Sequence, residues 1–159
     1  MKIKTVVLHY TKPTSEVFLT DVTRQVEHSI VDSKMEDGIA IIHTDCPNAC
    51  ITTMEYEPGT IHDLQEAFKK IHPLNGHNGH NGNNGHNGSN GHNGQHLGNN
   101  GNGTNGNGHH DIRTTLIGSS ITVPFKDNRE LLGKWQKAVL VDFDSSTGEK
   151  RVIVQIIGE

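Results

Sequence analysis

Histidine is the chemically versatile residue that this chain distributes most unevenly. Seven of its 12 histidines (His77, His80, His86, His92, His96, His109 and His110) lie in or at the end of one Gly/Asn-rich tract spanning 75–110. Imidazole suits borderline metal ions such as zinc, so the run can chelate them loosely. A defined centre also needs ligands fixed by packing and by further hydrogen bonds, and a backbone alternating Gly with Asn supplies neither. The middle of the tract therefore reads as a repeat-expanded linker, while its two ends adjoin segments of ordinary folded composition. Outside it, His43 closes the apolar run IAII (39–42), which reads as a buried strand delivering His43 and Thr44 at its C-terminal end. Taken alone, a histidine at a strand end is more often a satisfied edge residue than a ligand. The only cysteines, Cys46 and Cys50, read as reduced thiols at a strand edge rather than as a disulfide.

The elements that must position these residues follow from periodicity. Residues 3–10 and 16–19 are β-rich, and Thr20 or Asp21 can cap a helix whose apolar positions Val22, Val26 and Ile30 recur every four residues. Asp37-Gly38 signals a turn before the IAII strand, and 51–57 returns as another strand. Pro58-Gly59 breaks that strand, and Ile61, Leu64, Phe68 and Ile71 then define one face of a second helix that stops at Pro73. Beyond the tract, IRTTLIGSSITVPF, GKWQKAVLVDFD and KRVIVQIIG are three β-rich runs, with Trp135 read as a packing anchor and Gln136 as its polar neighbour. The economical arrangement is α+β: one domain over 1–159, two main helices packed on a mostly antiparallel sheet, interrupted by the insertion at 75–110.

That insertion has Leu97 as its only aliphatic side chain, so it cannot bury enough apolar surface to offset the ordering of its glycines. It is predicted to be disordered and dispensable. Doubling a flexible loop costs only about 0.6 kcal/mol of closure entropy. Shortening 82–106 to a brief Gly-Ser loop should therefore move the melting temperature by only a few degrees, which a thermal scan checks.

A formal charge of −4 over 159 residues lacks the basic excess of a nucleic-acid binder. The absence of an apolar run of signal or membrane-spanning length leads us to expect a cytoplasmic protein with no membrane partner.

With the tract set aside, DGIAIIHT (37–44), ITTMEYEPG (51–59), IHDL (61–64), LIGSSITVPF (116–125), LLGKWQ (131–136) and RVIVQIIGE (151–159) together resemble the YjbQ-like family, proteins often described as secondary thiamine-phosphate synthases. The resemblance implies an α+β domain assembling as a homotrimer, with a divalent metal, usually zinc, bound by histidines at the subunit boundary. It matches His43 to the first ligand, the His of an HT motif, and His80 to the second. Asp111 stands in the third ligand's place, with His109, two residues earlier, as its substitute. Glu55 aligns with an acidic residue near the metal, able to orient a ligand or serve as a general base. Arg151 could meet an anionic phosphate ester. Three functions stay open at this point: an enzyme acting on phosphorylated small molecules, a non-catalytic metal-binding or buffering trimer, and a scaffold whose site has decayed.

Overall fold

A computed structural model describes residues 1–14, 16–71 and 112–159. The insertion at 75–110, with its ligand candidates His80 and His109, and the adjoining Asp111 lie outside the described residues. Eleven elements follow in order: β1 (Lys2–Lys12), β2 (Phe18–Asp21), α1 (Thr23–Ser33), β3 (Gly38–His43), β4 (Ala49–Glu55), α2 (Pro58–Ile71), α3 (Ile112–Ile117), β5 (Ser120–Lys126), β6 (Arg129–Glu130), β7 (Gln136–Asp142) and β8 (Gly148–Gly158). The α+β class holds, but the strands form two sheets instead of one: a five-stranded sheet ordered β1-β8-β3-β5-β6 and a three-stranded sheet ordered β2-β7-β4. Every pairing is antiparallel.

Burial explains the split. In β7 every residue from Ala138 to Asp142 is buried, the mark of a strand covered on both faces. Ala138 and Leu140 join the core between the two sheets, where Ala40, Ile42, Val152, Val154 and Ile156 meet Val26 and Ile30 of α1. Val139 and Val141 turn the other way, into a second core with Cys50, Phe68 and Phe143. The large sheet is thus covered on its inner face by the small sheet and α1, and α2 packs on the far side of the small sheet. Among the described residues, no helix is long and apolar enough to cross a membrane.

Two expectations are corrected here. The run at 112–117 is a short helix and not the start of a strand. Gly118, at φ +99°, ends it and donates its N–H to Thr114 O at 2.8 Å, a left-handed stop that favours glycine. Trp135 is 65% exposed and anchors no core.

Alternation along the large sheet leaves its outer face without a covering element among the described residues. Ile3, Ile157, Ile39 and Pro124 stand in one cross-strand row, and Val7, Ile153, His43 and Ser120 in another. Ile3 and Val7 are 58% and 45% exposed. The sheet is pinned at its lower end by Gly38 and Gly158, which approach so closely that a Cβ on Gly38 would lie 2.1 Å from Ile157 O. Since that oxygen is backbone, Gly38→Ala should destabilise by at least about 1–3 kcal/mol, the usual range for overpacking, as measured by urea unfolding.

The upper end is tied by charge. Lys12 and Asp142 are both 2% exposed, with Lys12 Nζ 3.6 Å from Asp142 Oδ1. Lys150 Nζ reaches Asp144 Oδ2 at 2.7 Å and lies 3.9 Å from Asp142 Oδ2. Burial pushes the Asp142 carboxyl up and the Lys12 ammonium down from their ordinary values. Burial would also raise Asp144, but the Lys150 ammonium and the Ser146 N–H outweigh it and hold Asp144 at about 2. A carboxyl depressed on folding contributes stability above its ordinary value of 3.8, and that contribution is lost as pH falls toward 2. Asp144→Asn should therefore flatten the fall in stability between those two pH values, which denaturant melts across that window will show.

Candidate functional site

β3 is hydrogen-bonded on both sides, to β8 and to β5, so the backbone that presents His43 cannot shift without breaking two ladders. Its period-two pattern sends Ala40 and Ile42 into the core and Ile39, Ile41 and a half-buried His43 to the outer face. The next residue fixes the loop. Thr44 is buried; its N–H donates to Ser119 O at 2.9 Å, and its hydroxyl donates to Arg151 O at 2.9 Å while accepting the Cys46 N–H at 3.3 Å. Three segments are stitched together by one residue.

Beyond the strand opens a cleft of about 400 Å³, lined by His43, Asp45, Cys46, Thr114, Thr115 and Ser119 among others. Its far wall is α3, held by the Thr114 hydroxyl donating to Pro47 O at 3.4 Å and by the Gly118 turn, whose carbonyl accepts the Ile51 N–H. Asp45 is engaged by the Arg151 guanidinium. On the buried side of α3, Arg113 is 1% exposed, donates to Phe68 O at 3.3 Å and sits 4.2 Å from the centroid of the Phe143 ring. It fastens α3 to the second core.

The donor types at this mouth, an imidazole with a carboxylate and a thiol nearby, suit a zinc-like ion. Among the described residues, no group of three or more His, Cys, Asp or Glu side chains is arranged to hold one. His43 alone of the predicted ligands falls within them. A complete set would need donors from outside them, and in sequence Asp111 immediately precedes α3, the helix that walls the cleft. Glu55 is exposed at the opposite end of β4 from Ala49, which lines the cleft. Six strand residues put the two roughly 20 Å apart. Within one chain, His43 and Glu55 do not meet.

Sequence reasoning missed α3 as a wall of the cleft, and Thr44 as its organiser. A glycine closing an apolar run, Gly118, was the signal for the helix. The Lys12–Asp142 pair had no signal, because its members are far apart in sequence.

Three comparisons bear on this chain. Residues 8–159 match the family model described as UPF0047 protein YjbQ-like. A UPF0047 protein of Methanocaldococcus jannaschii is 29% identical over 142 residues, covering 89% of this chain and 86% of that protein. A UPF0047 protein of Archaeoglobus fulgidus is 25% identical over 146 residues, covering 92% and 96%. In fold, the chain is similar to a crystal structure of a YbjQ-like protein of unknown function from Sulfolobus solfataricus, with TM-score 0.77, 22% identity and 99% of each chain covered. It is likewise similar to a hypothetical protein from Aeropyrum pernix, with TM-score 0.75, 22% identity, and 98% of this chain and 99% of that one covered.

Proposed function

The chain belongs to the YjbQ-like UPF0047 family, and we propose that it is a metal-binding homotrimer whose centre is built on His43 and acts on phosphorylated small molecules as a secondary thiamine-phosphate synthase. One observation carries the reading. His43 stands at the mouth of a cleft and at the same time in a cross-strand row with Val7 and Ile153, on a sheet face that no element among the described residues covers. Exposed apolar surface of that extent marks an interaction site, and a ligand set that borders it is completed at a subunit boundary.

His43 supplies a neutral imidazole from a doubly paired strand, and the Thr44 hydrogen bonds keep it aimed. His80 and Asp111 are the proposed companions, with His109 as substitute for Asp111. Glu55, distant from His43 in its own chain, is the acidic residue proposed to orient a ligand of a neighbour's centre. A bound zinc ion would supply Lewis-acid stabilisation of the pyrophosphate that leaves as the new N–C bond forms.

The non-catalytic metal-binding alternative is favoured by one feature. The Arg151 guanidinium is already paired with Asp45, which lines the cleft, so an anionic substrate must compete with that carboxylate. Native mass spectrometry with metal analysis, on protein purified without a metal-affinity column, tests the reading. A trimer with one tightly held ion per chain, together with thiamine phosphate formed from a pyrimidine pyrophosphate and a thiazole phosphate, is the expected result. The same ion without turnover selects the non-catalytic reading, several weak ions select buffering, and a metal-free chain selects the scaffold.

A further inference from the structure

The chain has one tryptophan, and it is held out in solvent by design of the local backbone. Residues 133–136 form a tight turn: the Gln136 N–H donates to Gly133 O at 2.9 Å, and the Gly133 N–H donates to Gln136 Oε1 at 2.8 Å. Leu131, 58% exposed, is fixed beside it by its N–H donating to Pro124 O at 2.8 Å. Lys134 Nζ lies 4.9 Å from the centroid of the Trp135 ring. An indole held in this way has already met most of the ordering cost of association, and tryptophan is enriched among the residues that dominate interfaces.

We propose that Trp135, flanked by Leu131, seats on the outer face of the five-stranded sheet of a neighbouring copy of this chain, against Ile41 and Ile153 beside His43, so that each copy's centre is walled by its neighbour's indole. The inference rests on the assembly reading given above and adds which surface meets which. A closed three-fold ring is heterologous, so each subunit must carry two different complementary patches. The sheet face is one, and the 131–135 segment, which follows β6 on the opposite side of β5 from β3, is the other. Strand spacing and rise give the outer face of β1, β8, β3 and β5 an area on the order of 600 Å², approaching the roughly 800 Å² per partner of a stable interface. The position on that face follows from the indole N–H, which needs an acceptor once buried. Gln155 and Thr122 flank Ile41 in its row, whereas the row of Ile3, Ile157, Ile39 and Pro124 offers no polar side chain.

Because Trp135 is the sole tryptophan, intrinsic fluorescence reads its surroundings directly. In the assembled protein its emission should be blue-shifted and quenched by acrylamide several-fold less than in the diluted, dissociated chain. Co²⁺ alone should quench it in wild type and fail to do so in His43→Ala. Trp135→Ala should weaken assembly by about ten-fold or more in dissociation constant, with the far-ultraviolet circular dichroism unchanged. Trp135→Phe should recover part of that loss. A wild-type monomer at micromolar concentration overturns the assembly reading and this inference together. An assembled wild type whose tryptophan remains as quenchable as a free indole overturns this inference alone, as does Co²⁺ that binds at His43 without quenching.

Discussion

Asp142→Ala should cost about 3–5 kcal/mol of stability, because it leaves Lys12 as an uncompensated buried charge. The Lys12 side chain is only 1% exposed, and apart from Asp142 Oδ1 its ammonium reaches the carbonyl oxygens of Asp142 and Asp144. Asp142 also accepts the Asp144 N–H at 2.9 Å, so truncation frees a second donor. Its Oδ2 accepts no hydrogen bond among the described residues and lies 3.9 Å from Lys150 Nζ. The pair is therefore costly to keep and costlier to break. Pairing an apolar partner at both positions, as in Lys12→Met with Asp142→Leu, should recover most of the loss, since replacing a buried ion pair outright is often neutral or stabilising. Denaturant melts at one fixed protein concentration, with both single variants and the double variant, give the coupling directly. An Asp142→Ala protein within about 1 kcal/mol of wild type would show that water reaches Lys12 and that the upper end of the sandwich is not closed by this pair.

The strands, the two long helices and the α+β class were legible because period-two and period-3.6 patterns are local. β3 is the clearest case: IAII ends on His43, and the structure ends the strand there. Which sheet a strand joins is not local. The unbroken burial of β7 reflects cores on both of its faces, and nothing in QKAVLVD says which strands supply them. Trp135 was misread for a related reason: a lone tryptophan is usually buried, yet here a turn closed by Gly133 and Gln136 turns it outward. Of the candidate site, the sequence pointed to His43 at its strand end, while the loop ordered by Thr44 and the wall formed by Thr114 and Thr115 depended on long-range bonds and on recognising six residues as a helix. Short apolar runs are ambiguous between helix and strand, and IRTTLI, followed by a glycine, fits both patterns.

His43→Ala should abolish tight metal binding while leaving weak binding by the histidines of the insertion. The two classes of site differ in what fixes the imidazole. His43 rises from a strand paired on both sides, and the residue after it is bound to Ser119, Arg151 and Cys46, so little freedom is lost when an ion is taken up. His86 and His92 are separated by Asn, Gly and Ser in the middle of the insertion, where sequence offers nothing to set their geometry. Replacing those two with Ala should lower the number of weakly bound ions and spare the tight one. Asp111→Asn tests the proposed carboxylate ligand: it keeps the size of the side chain and removes its charge, and should weaken Zn²⁺ binding by more than the roughly 10–100-fold lost with a residue that only supports a ligand. His109→Ala is the matching control, with strong loss there and none at Asp111 moving the third ligand two residues back. Equal tight-site occupancy in wild type and His43→Ala, measured on protein made with intact metal supply, would detach the metal from β3 altogether, and with it the reason for placing chemistry at the bare sheet face.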